Sequence, residues 1–326
     1  MIKPQRSVVP NKRKYFGMID LILFTLVLSL VFTPSLHAQT KSSYLKNGVV
    51  IARFPMHFTN GYMFITVPVI DTDVYGKPLT LHRSFILDPA ASNDGSYMPD
   101  DSLVNVTGTR IFYFPVSTQR TLTADLVPTL AKGIYKRSDT SFYGVLGYAF
   151  IRKYITIINF LERTVTFYST TEGEAEWDKR LDTGAIFVPY LDDAILNHCN
   201  CPFPTIWFEA SAPPLKEGRV HLSLAERQSV IFKQALEPKT QKYIDDIKMK
   251  DSLAGKKENI GGITLETFEL GGNNIANRSP HRLIADLPPI FRNLNIFITG
   301  TVAVDILRHF PAVIIDPTRS RVMLVK

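Results

Sequence analysis

The sequence predicts a mostly β chain built as two similar β-barrel-like lobes, each with a short helix before its last hairpin. Three observations carry that expectation. Runs rich in β-branched and aromatic residues, bounded by turn residues, dominate the chain, as in 64–70, 107–116 and 263–270. A segment that reads as a short helix followed by a hairpin occurs near residue 150 and again at the C-terminus. The length of 326 residues, 45% of them apolar, is about two domains' worth of chain with enough apolar surface for a core in each.

The repeat can be followed residue by residue. The first copy reads Val145-Leu146-Gly147-Tyr148-Ala149-Phe150-Ile151-Arg152-Lys153-Tyr154, and the second reads Thr301-Val302-Ala303-Val304-Asp305-Ile306-Leu307-Arg308-His309-Phe310. Both run into a hairpin. Ile155 to Phe160 turns at Leu161-Glu162-Arg163 into Thr164 to Tyr168, and Ala312 to Asp316 turns at Pro317-Thr318-Arg319-Ser320 into Arg321 to Val325. Upstream, Ala124-Asp125-Leu126 matches Ala285-Asp286-Leu287, and Ser84 to Ser92 matches Arg219 to Arg227. Arg152 is therefore expected to superpose on Arg308, and Asp125 on Asp286. A helical pattern from Leu224 to about Lys250 reads as an elaboration of the second copy. The expected division is a signal peptide at 1–38, a first lobe at 48–172 and a second at 173–326.

The N-terminal segment has the parts of an export signal. Lys3, Arg6, Lys12, Arg13 and Lys14 precede an apolar stretch from Leu21 to Phe32, too short to span a bilayer comfortably, and Leu36-His37-Ala38 offers a cleavage site. An uncleaved signal anchor is the alternative. The mature protein is expected to be exported, to the periplasm or to the cell surface or beyond, with no membrane span after signal removal. The net charge of +7 looks at first like a nucleic-acid signal. Only one acid, Asp20, shares the first 38 positions with those five basic residues, which leaves 32 basic against 29 acidic residues on the remaining 288. No nucleic-acid partner is expected. Cys199 and Cys201 lack a second ligand pair at zinc-finger spacing, so a local disulfide, an intermolecular one and two free thiols all stay open.

Two similar β lobes, with the Phe85-Ile86-Leu87-Asp88-Pro89-Ala90-Ala91-Ser92 strand and turn and the Val145-Leu146-Gly147 segment before a helix, resemble the pepsin-like and retropepsin-like aspartic peptidases. The resemblance implies that each lobe contributes one Asp-Thr/Ser-Gly turn, backed by an apolar-apolar-Gly segment. It puts Asp88 at the first catalytic position. At the second it puts Ser223, when Val220 to Ala225 is set on Phe85 to Ala90. Supporting positions depart from the pattern as well. Pro89 stands where a bridging hydroxyl is expected, Ala90 stands where a glycine lets the turns approach, and Gly147 is matched by Ala303. The Cβ of Ala90 is expected to push the turns apart, and Asn93-Asp94-Gly95 reads as a loop, not as the continuation the family shows.

Peptide hydrolysis by two carboxylates requires one to stay protonated while the other acts as base. Asp88 facing Ser223 does not supply that pair. A lone Asp88 is expected to titrate as an isolated acid, and its bland alternative role is to cap backbone amides at the end of a strand. Asp125, Asp286, and Asp316 with Asn159, read as turn and capping residues. His221 is two residues from Ser223 on one strand face, which is a weak basis for a nucleophile and base. No Gly-x-Ser-x-Gly elbow, His-Glu-x-x-His helix, phosphate loop or dinucleotide fingerprint occurs, and no cofactor is expected. The expected function is a catalytically inactive relative of aspartic peptidases that binds an extended peptide or protein segment between its lobes. The alternatives are an active aspartic endopeptidase, using Asp88 with a second acid elsewhere or from a second copy, and a structural envelope subunit. The oligomeric state stays open.

Overall fold

The computed structural model describes residues 44–45, 48–72, 77–91, 93–97, 110–117, 120–128, 142–170, 181, 184–191, 205–212, 215–253, 262–264, 267–276, 281–292 and 296–326. The expected signal segment 1–38 and Cys199 and Cys201 lie outside the described residues. The chain divides into the units Met1–Tyr44, of which Tyr44 alone is described, and Leu45–Lys326. Every described strand and helix belongs to the second unit.

In chain order the first set of elements is β1 (Val50–Thr59), β2 (Tyr62–Thr72), β3 (Pro78–Asp88), β4 (Gly95–Tyr97), β5 (Arg110–Ser117), β6 (Arg120–Pro128), β7 (Phe142–Gly147), helix α1 (Tyr148–Ile151), β8 (Tyr154–Asn159) and β9 (Thr164–Ser169). The second set begins with β10 (Ala185–Pro189), β11 (Trp207–Ala212), β12 (Leu215–Leu222), β13 (Val230–Phe232) and helix α2 (Pro238–Leu253). It continues with β14 (Gly262–Thr264), β15 (Thr267–Leu270), β16 (Asn273–Ala276) and β17 (His281–Ala285). Last come β18 (Ile298–Val302), helix α3 (Val304–Leu307), β19 (Ala312–Asp316) and β20 (Arg321–Val325). The expected mostly β architecture is the one observed. No helix of the described residues is long and apolar enough to cross a membrane.

Strand order shows the duplication. The first lobe runs β2-β3-β7-β4-β6-β5, and the second runs β11-β12-β18-β13-β17-β14, with the β15–β16 hairpin added outside β11. Pairing sense agrees at each step: β3 with β7 and β12 with β18 are parallel, as are β4 with β6 and β13 with β17. Both orders end at edge strands, so the lobes are open sheets among the described residues and not the closed barrels that the term β-barrel-like invites. The two copies join through their hairpins. In β10-β20-β19-β8-β9-β1, β8 and β19 pair antiparallel with Ile157 opposite Ile314.

Side-chain alternation explains which faces are buried. In β5, Phe112 and Phe114 point inward while Ile111 and Tyr113 are exposed, the period of two expected of a strand with one wet face. Inside the first lobe Phe114 meets Phe85 and Phe150 edge-on, and Phe150 meets Phe167 in the same way, the geometry that ring quadrupoles favour. The shared hairpins are buried on both faces: Ala312 to Asp316 are all inaccessible, which is why both copies read as continuous apolar runs.

Three expectations are corrected. Residues 224–237 are not α-helical, and only a single 3-10 turn, Lys233–Ala235, forms there. Val230–Phe232 is instead a strand wedged between β17 and β18, and this sheet pairing overrides the helical pattern. The helix starts at Pro238, where a missing N–H costs nothing. Gly95 opens a strand that pairs with β7 and β6, so Asn93-Asp94-Gly95 leads directly into a strand and is not only a loop. Finally, Asp125 does not match Asp286. Ser96 and Val230 occupy equivalent positions beside β7 and β18, and they pair with Val127 and Leu283, which puts Asp125 level with His281. Arg152 and Arg308 do match, each closing its helix as the C-cap.

Because the shared sheet holds both copies, damage at its centre should be felt by the whole unit. Ile314 is fully buried. Ile314→Ala is expected to lower stability by about 2–5 kcal/mol and to leave a single cooperative urea transition. Two separated transitions would show that the lobes unfold independently.

Candidate functional site

Asp88 is the last residue of β3, and its backbone pairs with Gly147 at the end of β7. The turn after it is closed by Ala91 N donating to Asp88 O at 3.1 Å. Behind it, Gly147 N, Tyr148 N and Ala149 N donate to Asp94 O, Ala91 O and Asn93 O. The turn and the start of α1 are thus stitched backbone to backbone. A Cβ on Gly147 would sit 2.2 Å from Asn93 O, so glycine is required by close approach.

The second lobe reaches the same place by other means. Ser223 follows β12, its amide donating to Val302 O at 3.0 Å, and Leu222 lies beside Val302 as Leu87 lies beside Leu146. Ser223 therefore occupies in the second lobe the position that Asp88 has in the first, and Ala303 that of Gly147. Here a side chain fills the gap that backbone contact closes in the first lobe. The Ser229 hydroxyl accepts from Ala303 N at 2.9 Å and donates to Asp305 Oδ1 at 2.6 Å, and Ser229 N donates to the same oxygen. Ser229 and Asp305 are both buried. Sequence reading missed this pair. The signal was present in Asp305, an acid in an otherwise apolar helix.

The two turns meet. Leu224 N donates to Asp88 Oδ1 at 3.1 Å, and Ala90 N donates to the same oxygen at 3.1 Å from its own side. The Ser223 hydroxyl and the Ala225 amide also hydrogen-bond this carboxyl. The Cβ of Ala90 does not keep the turns apart, contrary to expectation. Asp88 does cap backbone amides, on both lobes. Nor does it titrate as an isolated acid. Burial pushes it from 3.8 up to about 6, and the bonds from Ala90, Ser223, Leu224 and Ala225 pull it back only in part. None of the groups acting on it is an acid.

The remaining candidates are spread elsewhere. His221 is buried between Trp207, 4.5 Å away, and Phe291, 5.5 Å away, and desolvation lowers it to about 4. Its ring is neutral at ordinary pH, and the Ser223 hydroxyl is engaged with Asp88. Asp125 and Asp286 are exposed. Asp316 caps its own turn through Thr318 N, and Asn159 does the same through Glu162 N, as expected. Among the described residues no group of three or more His, Cys, Asp and Glu is placed to hold a metal ion. A cleft of ≈ 520 Å³ lies on β11, β12 and β15, lined by Glu209, Glu217, Arg219, Glu269 and Phe297, and includes none of the residues around Asp88.

Topology and site together define a mostly β chain of two similar lobes with, among the described residues, one carboxyl group where their turns meet. Solved structures similar to this chain include the basic 7S globulin from soybean, at 8% identity and a TM-score of 0.46, covering 84% of this chain and 96% of that one. An aspartic proteinase from Irpex lacteus is similar at 10% identity and a TM-score of 0.44, with 84% and 97% covered. No family model and no curated protein sequence matches the chain.

The raised Asp88 value has a consequence for stability. A carboxyl that is harder to ionise when folded adds stability that is complete below pH 3.8 and is lost as pH rises through about 6. Relative to Asp88→Asn, the natural protein is expected to lose up to about 3 kcal/mol between pH 4 and pH 7. His221 acts in the opposite direction, losing stability as pH falls from 6.5 through about 4, but it is common to both proteins and cancels. Paired urea titrations across this range measure the difference, and a pH-independent gap would refute the assignment.

Proposed function

We propose that this chain is an exported, non-catalytic relative of the pepsin-like and retropepsin-like aspartic peptidases. In this reading the lobes at 48–172 and 173–326 hold an extended peptide or protein segment in the groove between them. One observation carries it: the residue facing Asp88 is Ser223, and its hydroxyl hydrogen-bonds the carboxyl that would need a second acid as partner. Amide hydrolysis by this chemistry needs one carboxylate to activate water and one carboxylic acid to protonate the developing oxyanion. A serine does not titrate in that range. Losing general-acid help costs about 10²- to 10⁴-fold in rate. Asp88 Oδ1 also already accepts both Leu224 N and Ala90 N.

Binding is supported by the architecture. Strand edges can take an extended segment by main-chain pairing, and β5, which ends its sheet among the described residues and packs beside β2, carries exposed Ile111 and Tyr113. An extended segment recognised this way would be gripped mainly through its backbone, with alternate side chains read by pockets.

The test is incubation of the purified mature protein with an unbiased peptide library from acid to neutral pH, beside Asp88→Asn. No cleavage by either protein, with peptides still captured, is the expected result. Cleavage by the natural protein that disappears in Asp88→Asn would restore an active endopeptidase. Export has its own check. The basic residues, the Leu21 to Phe32 stretch and the Ala38 site motivate removal of the leader, so N-terminal sequencing of native protein should begin at or within a few residues of Gln39. Membrane-bound protein that still starts at Met1 would indicate an anchor.

A further inference from the structure

Of the four donors around the Asp88 carboxyl, the Ser223 hydroxyl and the amides of Leu224 and Ala225 come from the opposite lobe. A buried amide seldom goes without an acceptor. The first turn has little else to offer. Pro89 has neither hydroxyl nor N–H, and Ala90 and Ala91 have no polar side-chain atom. Asp88 is thus the one side-chain acceptor that the Asp88-Pro89-Ala90-Ala91 turn presents to Leu224.

We infer that Asp88 is the clasp between the two turns, fixing how closely the lobes meet at the floor of the groove. This rests on the proposed reading of the groove as a binding site and names what sets its closure. Residue 88 is then a positioning residue, acting through the backbone of Leu224 and Ala225. The clasp is local. Elsewhere the lobes are joined by the pairing of β8 with β19, by Phe160 N donating to Pro311 O at 2.9 Å, and by burial of that sheet. Loss of the clasp is therefore expected to free the second turn without unfolding the unit.

Amide hydrogen exchange at single-residue resolution, on the full mature chain at neutral pH, reads this directly. Leu222 and Ser223 serve as internal references, because their amides bond Ile206 O and Val302 O and not Asp88. In the natural protein Leu224 and Ala225 should exchange slowly. Asp88→Leu keeps the bulk and removes the acceptor, and should speed both amides at least ~10-fold relative to Leu222 and Ser223. Asp88→Asn keeps an acceptor oxygen and should restore most of the protection, a rescue that mere filling of space would not give. Unchanged exchange at Leu224 in Asp88→Leu overturns the clasp. Free exchange at Leu224 in the natural protein overturns it too, and that measurement stands even if Asp88→Leu does not fold. Peptide capture is not read in this experiment, so failure of the clasp and failure of the binding role are separately visible.

Discussion

The antiparallel pairing of β8 with β19 is the constraint on which the rest of the molecule depends. Each hairpin is the end of one copy of the duplicated chain, and their register, with Ile157 opposite Ile314, joins the copies into one continuous sheet. The helices α1 and α3 lie immediately before those hairpins, and the turns at Asp88 and Ser223 are anchored to the strands immediately before the helices. A slip of one residue between β8 and β19 would exchange the side chains that the hairpin packs on its two buried faces. The meeting of the two turns is thus a consequence of hydrophobic registration some distance from them.

Electrostatics at that meeting point differ from those of a catalytic pair. Two neighbouring carboxylates shift each other's ionisation because like charges repel. Asp88 is instead raised by burial, and its four hydrogen-bond donors recover part of the cost of holding a charge away from water. Similar reasoning places His221: with Trp207 and Phe291 against its ring, removal from water favours the neutral form, and it belongs to the core of the second lobe.

Much of this was legible in the sequence because hairpins announce themselves. The Thr164 to Tyr168 and Arg321 to Val325 strands, their turns, and the placement of Ser223 on Asp88 and Ala303 on Gly147 all follow from apolar periodicity and spacing. What could not be read was anything decided by tertiary pairing. Val230–Phe232 carries a helix-compatible pattern but is claimed by β17 and β18. The Asp125 and Asp286 match was a coincidence of three letters that strand register dissolves. The approach of the turns despite Ala90 depends on backbone positions that no side-chain inventory reveals.

The unequal backing of the two turns has a consequence for how such a chain can change over generations. The first turn is secured by backbone groups, which every amino acid carries, so among its backing residues the main demand is the absence of a side chain at Gly147. The second turn keeps one such backbone bond, Val304 N to Glu226 O, and otherwise relies on the hydroxyl of Ser229 and the carboxylate of Asp305, which one base change in a gene can remove. Inherited variation should therefore reshape the second turn more readily than the first.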